Sequence, residues 1–479
     1  MLTKLIPTLV LLINCATIST SIINVTINLT DVRVAVRQVS PKFLSFGIDT
    51  SLARKKWSGF QFTAFQPLAK SLSPAYVRFG GTDADLMIFR PKYQAKLGRT
   101  TQGTNFTMTG SDWARFCKFA KKANWTIILD LNVLLRDHQG NWWPQNARDL
   151  LSFSASQGCD LDFELGNEPN AFRHSMNRTI SPQQYADDYY QARLVIDSFA
   201  AYRGRQLVGP AVSNTRKRSS QKYLGQFLKQ LRQKHRLWRT PSAVTFHHYY
   251  VNGRTATLSD FMNETIMNEL LDSIHAAKRQ LKTVPTDKPL WIGETASAWG
   301  GGAPNLSDTY VSGFMFLDKL GLSALNGIQV TIRQTFYSGH YSLLNPDGSQ
   351  RPNFWLALIY KTLVGTQILQ NLHPTPIKKD KSNGGLRLYG ACAKARPGEA
   401  VIYAINLNQN DIQIHFATQI SGLEEWLLAP PDGNLRSGHM TLNRATLFWP
   451  EGSRQPHLWP GNAFKAQSPC LVIDMPFTD

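Results

Sequence analysis

The chain has 479 residues, of which 42% are hydrophobic and 18% charged; that length exceeds one small core, and that balance excludes a disordered chain. The formal net charge of +19 sits in short clusters, Arg54-Lys55-Lys56, Lys121-Lys122, Arg216-Lys217-Arg218 and Lys378-Lys379 with Lys381. No polybasic tail is present, so the charge favours polyanionic partners in general, or marks only a soluble basic surface.

In chain order, Met1 to Lys4 is a short positive segment, Leu5 to Ile13 an apolar run, and small residues follow around Ser19 to Ser21. This pattern is expected for a cleaved signal peptide over 1–21, because the run is too short to span a bilayer. No later run is long enough either, so a soluble, secreted protein without a membrane span is expected. Residues 22–40 hold a strand-like stretch, Ile22 to Gln38, expected to pair with a C-terminal sheet.

From about Phe43 to Gly365, strand-like and helix-like stretches alternate. Ala75 to Phe79 reads as a strand, Asp112 to Ala123 as a helix, Thr126 to Leu131 as a strand and Ala147 to Gln157 as a helix. Leu161 to Leu165 follows as a strand and Ser181 to Tyr202 as a helix. Leu207 to Pro210, Ala243 to His248, Pro289 to Gly293 and Ile328 to Gln334 read as further strands, with a helix at Met262 to Gln280. Such alternation fits a parallel sheet covered by helices, with a (β/α)8 TIM barrel over 41–365 the leading form. A doubly wound open sheet is the alternative, but no glycine-rich dinucleotide fingerprint is found. Beyond about Thr366, short runs at Leu386 to Tyr389, Ala400 to Asn406, Ile412 to Phe416 and Leu471 to Met475 are separated by Gly, Pro, Asn and Asp. An all-β sandwich over 366–479 is expected.

Cys15 falls in the expected signal, leaving Cys117, Cys159, Cys392 and Cys470. Four cysteines allow three pairings. A Cys392–Cys470 bridge would staple the sandwich, which leaves Cys117–Cys159 for the barrel. Seven Asn-X-Ser/Thr sequons begin at Asn24, Asn28, Asn105, Asn124, Asn177, Asn263 and Asn305 and agree with secretion.

Two strand ends carry the chemistry. The run Leu161 to Leu165 leads into Gly166-Asn167-Glu168-Pro169, and Leu290 to Ile292 leads into Gly293-Glu294. Proline ends the first strand, so Glu168 is placed at its C-terminal mouth, the face on which barrel active sites are built. The 126 positions between the glutamates amount to three βα units of about 40 residues each, placing them on strands four and seven. One glutamate alone is most simply a surface or capping carboxylate. Two in matching contexts are what glycosidic bond hydrolysis requires, one protonated to donate to the leaving oxygen and one ionised to attack the anomeric carbon. His247 and His248 are adjacent on a strand and point to opposite faces, so no shared metal is expected.

These motifs, with His247-His-Tyr-Tyr250, Asn252-Gly-Arg254-Thr-Ala-Thr257, Gly293-Glu-Thr through Gly300-Gly-Gly-Ala-Pro304, Ser307-Asp-Thr309, Leu317-Asp-Lys-Leu-Gly-Leu322 and Ile332-Arg-Gln334, closely resemble the heparanases. The resemblance runs from about Ser40 to Gly365 and more faintly beyond. It implies Glu168 as proton donor and Glu294 as nucleophile of a retaining endo-β-glucuronidase that cuts glucuronic acid β(1→4) linkages in heparan sulfate, with no cofactor. It further implies that Asp49, Thr82, Asn167, Tyr249, Gly300, Gly301, Gln334 and Tyr341 line the sugar subsites. Arg254 and the cluster Arg216, Lys217 and Arg218 would meet sulfates. Heparan sulfate and its proteoglycans are the expected partners of a monomer that binds no nucleic acid, in the extracellular space, lysosomes or other acidic vesicles. An exo-β-glucuronidase and a non-catalytic heparan sulfate binder are the competing readings. The chain departs from the pattern in two places. Only about twenty polar residues lie between Arg90 and Trp113, too few for the excised linker of animal heparanases, so a single-chain enzyme is expected. His174 replaces a lysine near the acid, which puts one sulfate contact in doubt and makes it pH-dependent.

Overall fold

The structure is a computed structural model, in which the described residues are 6–14, 22–27, 35–92, 104–235, 241–284, 287–369, 372, 375–376, 385–408, 410–417, 420–450, 453, 464–465 and 470–472. The sequon at Asn28 and the cluster Lys378, Lys379 and Lys381 lie outside them.

Eight apolar runs form the parallel strands of one sheet: β1 (Leu44–Asp49), β2 (Ala75–Gly80), β3 (Trp125–Leu131), β4 (Leu161–Leu165), β5 (Gly209–Val212), β6 (Val244–Asn252), β7 (Leu290–Trp299) and β8 (Ile328–Arg333). Their order is β5-β6-β7-β8-β1-β2-β3-β4. The two ends meet, because Val208 N–H donates to Phe163 O and Phe163 N–H to Gln206 O, both at 2.8 Å. The sheet therefore closes into a barrel, as expected. The eight following helices are α1 (Phe65–Ser71), α2 (Gly110–Ala123), α3 (Gln145–Ser156), α4 (Pro182–Asp197), α5 (Arg218–His235), α6 (Glu264–Thr283), α7 (Ser312–Leu325) and α8 (Pro352–Leu363). Local chemistry sets their starts. Thr109, Ser181 and Asn263 accept N–H bonds from the first turns of α2, α4 and α6, and Pro182 is already shaped for the first position of α4.

Alternation along the strands stacks the barrel interior in layers. Tyr76, Ile128, Val208, Ala243, Trp291, Val330 and Ile332 form an apolar plug separate from the main core. One pleat further towards the C-terminal mouth, Tyr76 gives way to Arg78 and Ile128 to Asp130, so a polar layer sits on the plug.

The chain then enters antiparallel pairing. The strands β9 (Val364–Ile368), β10 (Leu386–Ala393) and β11 (Ala400–Asn406) lie side by side, with Arg37–Gln38 on the outer edge of β9. A second sheet holds β12 (Asp411–Phe416) between Ile22–Ile27 and Cys470–Val472. Val25, Ile27, Ile402, Ala404, Ile412 and Ile414 fill the space between the sheets. The expected pairing of the stretch after residue 22 with the C-terminal sheets is present.

Several expectations need correction. The helix expected over Ser181 to Tyr202 ends at Asp197, and the strand expected at Leu207 to Pro210 runs from Gly209 to Val212. Arg218 is not in a loop but heads α5. The Cys117–Cys159 bridge is formed, with Cα atoms 5.4 Å apart, whereas Cys392 carries a free thiol. The expected Cys392–Cys470 bridge is not formed: Cys392 of β10, in register with Ala400, keeps its free thiol packed against the core between the sheets. Not among these corrections is the signal peptide, which strand pairing does not test: Ile6–Asn14, holding most of the apolar run Leu5 to Ile13, lies parallel to both β11 and β13 (Ile420–Ala429). An apolar run of that length fits the middle of a sheet as readily as a signal peptide.

Candidate active site

Glu168 follows β4 in the left-handed region, at φ 53°, just after Gly166 at φ 73°. This reversal takes the chain off the strand and turns Glu168 towards the barrel axis, where its Oε1 lies 2.9 Å from His247 Nδ1. Glu294 sits within β7, in register with His247 of β6. Tyr249 O–H donates to Glu294 Oε1 at 2.6 Å. His247 and Tyr249 are two residues apart on β6, so they share a face and their Cα atoms are about 7 Å apart. The two glutamates expected on strands four and seven are thus held by neighbouring same-face residues of strand six.

Beneath them the polar layer is an ion network centred on Arg78. Its Nη1 donates to Glu294 Oε2 at 2.7 Å, its Nε to Glu164 Oε2 at 2.5 Å and its Nη2 to Asn167 Oδ1 at 2.9 Å. Asp130 lies 3.6 Å from Nη2. Asp85 accepts from the backbone N–H of Asn167 and of Val133, which fixes the turn that carries Glu168.

The electrostatics follow from this wiring. Burial works to raise the Glu294 carboxyl, but the charges of His247 and Arg78, with the hydrogen bonds from Tyr249 and Arg78, outweigh it and hold it below its usual value. Burial and the adjacent Glu294 push the Tyr249 phenol well up, so it remains a donor. Burial raises Asp85 to about 7, against the two backbone bonds and Arg78, and raises Asp130 well above its usual value, helped by Glu164.

Of the expected subsite residues, Asp49, Gln334, Tyr249 and Tyr341 converge with Glu294. Gln334 donates to Asp49 Oδ2 at 3.0 Å, and the Tyr341 and Tyr249 ring centres are 6.4 Å apart. Burial, with Glu294 and Asp83 nearby, raises the Asp49 carboxyl. Asn167 joins them through Arg78. Thr82 is exposed in the turn after β2, next to Gly81, which packs on Asp49. Gly300 and Gly301 lie in a left-handed loop, and His340 N–H donates to Gly301 O at 2.7 Å. Gly302 is required there, since a Cβ would come within 2.7 Å of Tyr341 N. Arg254 is exposed on the loop after β6, which touches the glycine loop through Gly253 N–H to Trp299 O at 3.0 Å.

The basic cluster divides. Lys217 and Arg218 are exposed, whereas the Arg216 guanidinium is paired with Glu269 of α6. His174 is exposed in the short helix Phe172–Ser175. His247 and His248 face opposite ways, His247 to Glu168 and His248 to Tyr250, whose ring lies under Lys319. Asn105, Asn124, Asn177, Asn263 and Asn305 are exposed, while Asn24 is half-buried against His415.

Sequence reasoning missed Arg78, Asp85, Asp130 and Glu164. Their signal was present: a charged residue inside an otherwise apolar strand, as in Ala75-Tyr-Val-Arg78-Phe, is rarely buried without a partner.

Residues 60–321 match the glycosyl hydrolase family 79 N-terminal domain. Heparanase of Gallus gallus is 33% identical over 450 residues, covering 83% of this chain and 84% of that protein. Hyaluronoglucuronidase of Hirudo nipponia is 29% identical over 457 residues, covering 86% of this chain and 89% of that protein. A 4-O-alpha-L-rhamnosyl-beta-D-glucuronidase of Fusarium oxysporum of known structure superposes with a TM-score of 0.61 at 16% identity, over 93% of this chain and 95% of that one, a likeness of fold alone. Paired glutamates at the barrel mouth and a matched domain spanning more than half the sequence lead to one assignment: the chain belongs to glycosyl hydrolase family 79 and is a glucuronidase-type glycosidase.

Proposed function

We propose that the protein is a retaining endo-β-glucuronidase that cleaves heparan sulfate, with Glu168 as acid/base and Glu294 as nucleophile. The observation that carries the reading is the suspension of both carboxylates from one face of β6, through His247 and Tyr249. Glu294, ionised by Arg78 and Tyr249, attacks the anomeric carbon while Glu168 protonates the leaving oxygen. Water then hydrolyses the glycosyl-enzyme with Glu168 as base. Asn167, whose carbonyl end is taken by Arg78, offers its amide N–H2 to a sugar hydroxyl. Gly300 and Gly301 let backbone N–H groups approach a substrate carboxylate.

Endo action is supported by two aromatics. Trp143, on the loop after β3, and Trp299, at the end of β7, are 51% and 50% exposed. Strands three and seven are opposite each other in the ring, so the two indoles stand on opposite sides of the mouth as sugar-stacking platforms. Lys217, Arg218 and Arg254 are the cations available to sulfates.

We further read the enzyme as a secreted monomer that is active as a single chain. Met87–Arg90 and Phe106–Thr109 pair in register, with only 15 residues, 91–105, between them in the sequence. Purified wild-type protein and Glu294→Gln are incubated with heparan sulfate and with hyaluronan across acidic pH, and the products are sized. Oligosaccharides from heparan sulfate, formed by wild type running as one band under reducing conditions and not by the variant, support the reading. Monosaccharide alone would make the enzyme exo-acting, and cleavage of hyaluronan alone would shift the substrate to that of the leech relative's name. Binding without cleavage would leave a carbohydrate-binding protein. Activity that appears only after proteolysis would refute the single-chain reading. N-terminal sequencing of secreted protein tests removal of residues 1–21.

A further inference from the structure

The strand β7 is irregular where it carries Glu294. Phe246 pairs with Ile292 and His247 with Glu294, so Gly293 is an extra residue against β6. On the other side Ile292 pairs with Thr331 and Thr295 with Arg333, so Gly293 and Glu294 together oppose Ile332 of β8. A bulge re-aims a side chain, and it also interrupts the ladder that would hold the backbone beneath it. Tyr249 and Arg78 fix the tip of Glu294, but its backbone lies in this interrupted stretch.

Alternate residues of a strand point to opposite faces. Where His247, Tyr249 and Glu294 face the barrel axis, His248, Tyr250 and Thr295 face outwards to α7. Lys319 of α7 is 2% exposed there. Its Nζ donates to Thr295 Oγ1 at 2.5 Å and to Ala296 O at 2.8 Å, with His248 O at 3.5 Å. It also lies 4.2 Å from the centre of the Tyr250 ring. Thr295 Oγ1 in turn donates to His248 O, and Thr295 O accepts from Gln334 N–H at 2.8 Å. Each of these partners is a near chain neighbour of a site residue: Thr295 follows Glu294, and His248 stands between His247 and Tyr249. One amine therefore ties strands six and seven together directly behind the site. Burial and the nearby Arg333 push that amine well below its usual range, against the pull of Asp318. An amine buried so deeply is costly unless its bonds offset the loss of water.

We propose that Lys319 is a positioning residue for the nucleophile: by bonding Thr295, Ala296 and His248 it holds the bulged stretch of β7 against β6 and so sets the distance and angle at which Glu294 meets the anomeric carbon. Lys319 lies behind the strands and acts through their backbone, while the Glu294 oxygens are bonded by Tyr249 and Arg78. It therefore acts on geometry and leaves the ionisation of Glu294 alone. The proposal rests on the reading of Glu294 as nucleophile, and its test has an arm that needs no reaction.

The test uses a 2-deoxy-2-fluoro-glucuronyl fluoride, on which a Glu294 oxygen bonds the anomeric carbon, fluoride leaves and the glycosyl-enzyme is trapped. Wild type, Lys319→Met, Thr295→Val and Asp318→Asn are compared well below their melting temperatures. Asp318 is the control, since it is buried beside Lys319 but bonds Arg387 and Tyr389 of β10. A displacement of about 1 Å can cost on the order of 10²-fold, so labelling of Lys319→Met should slow ~10- to 100-fold at saturating reagent. The reagent concentration for half-maximal rate and the acid limb of the pH profile should stay where they are in wild type. Thr295→Val should slow labelling less, and Asp318→Asn should lower the melting temperature without slowing it.

Labelling of Lys319→Met at the wild-type rate would overturn the proposal, and so would an equal slowing in Asp318→Asn or a displaced acid limb. If Lys319→Met does not fold, an unchanged rate in Thr295→Val overturns it instead. If wild type is not labelled at Glu294, the nucleophile reading fails. Amide hydrogen exchange of residues 294–298 then decides on the brace: faster exchange in Lys319→Met and Thr295→Val than in Asp318→Asn supports it, and equal exchange removes it.

Discussion

Arg78 and Glu294 are 216 positions apart in the chain, yet Nη1 of one lies 2.7 Å from Oε2 of the other inside the barrel. The guanidinium also spans Glu164 and Asn167, so it joins the proposed nucleophile to the turn that presents the proposed acid/base. Arg78→Met should strand several buried carboxylates and destabilise the protein by ~3–5 kcal/mol. Urea unfolding of variant and wild type measures this directly, and an unchanged midpoint would count against the network.

Tyr249→Phe keeps the ring and removes the 2.6 Å bond to Glu294. That bond favours the ionised carboxylate, so its loss raises the Glu294 pKa. With Glu294 as the proposed nucleophile, activity should fall as pH drops through that pKa, so the acid limb should move to higher pH. A hydrogen bond to a charged group is worth about 1.5–3 kcal/mol, which predicts a loss of roughly 10- to 100-fold in kcat. A pH–rate profile reads both effects.

Burial pushes the Asp85 carboxyl up to about 7, whereas in the unfolded chain it titrates near the ordinary value of about 4. The folded state therefore holds a proton that the unfolded state releases. The resulting stability is fully present below about pH 4 and is lost as pH rises through about 7. The stability difference between wild type and Asp85→Asn should accordingly shift against wild type between pH 4 and pH 8. Paired denaturation curves at the two pH values test the sign.

The Cys117–Cys159 bridge closes a segment with a sequence separation of 42 between α2 and the start of β4. Replacing both cysteines with serine should cost ~2–4 kcal/mol. Cys392→Ser should leave stability and non-reducing mobility nearly unchanged, because that thiol is free. A large loss from Cys392→Ser would restore the discarded pairing with Cys470.

The barrel was legible because its strands are apolar runs of strand length separated by amphipathic helices, and that periodicity is local. Glu168 and Glu294 were legible for the same reason: Gly-Asn-Glu-Pro and Gly-Glu mark where a strand ends, and strand ends form the mouth. Arg216 shows the limit. Its neighbours in sequence are bases, but its neighbour in space is Glu269 of the next helix, so one of three expected sulfate contacts is already engaged. Cys392 shows it again, because an even cysteine count says nothing about which sulfurs meet in space.

The sequence alone determined the layered architecture, the two glutamates and their placement on strands four and seven, since each depends on residue type and spacing within a few dozen positions. Only the tertiary structure decided that His247 and Tyr249 hold those glutamates, that Arg78 ties them to one buried network, and that Lys319 of α7 bonds the strands behind them. Those relationships join side chains from distant strands and neighbouring helices. Coulomb and hydrogen-bond energies depend on separation in space, which closure of the barrel sets and spacing along the chain does not.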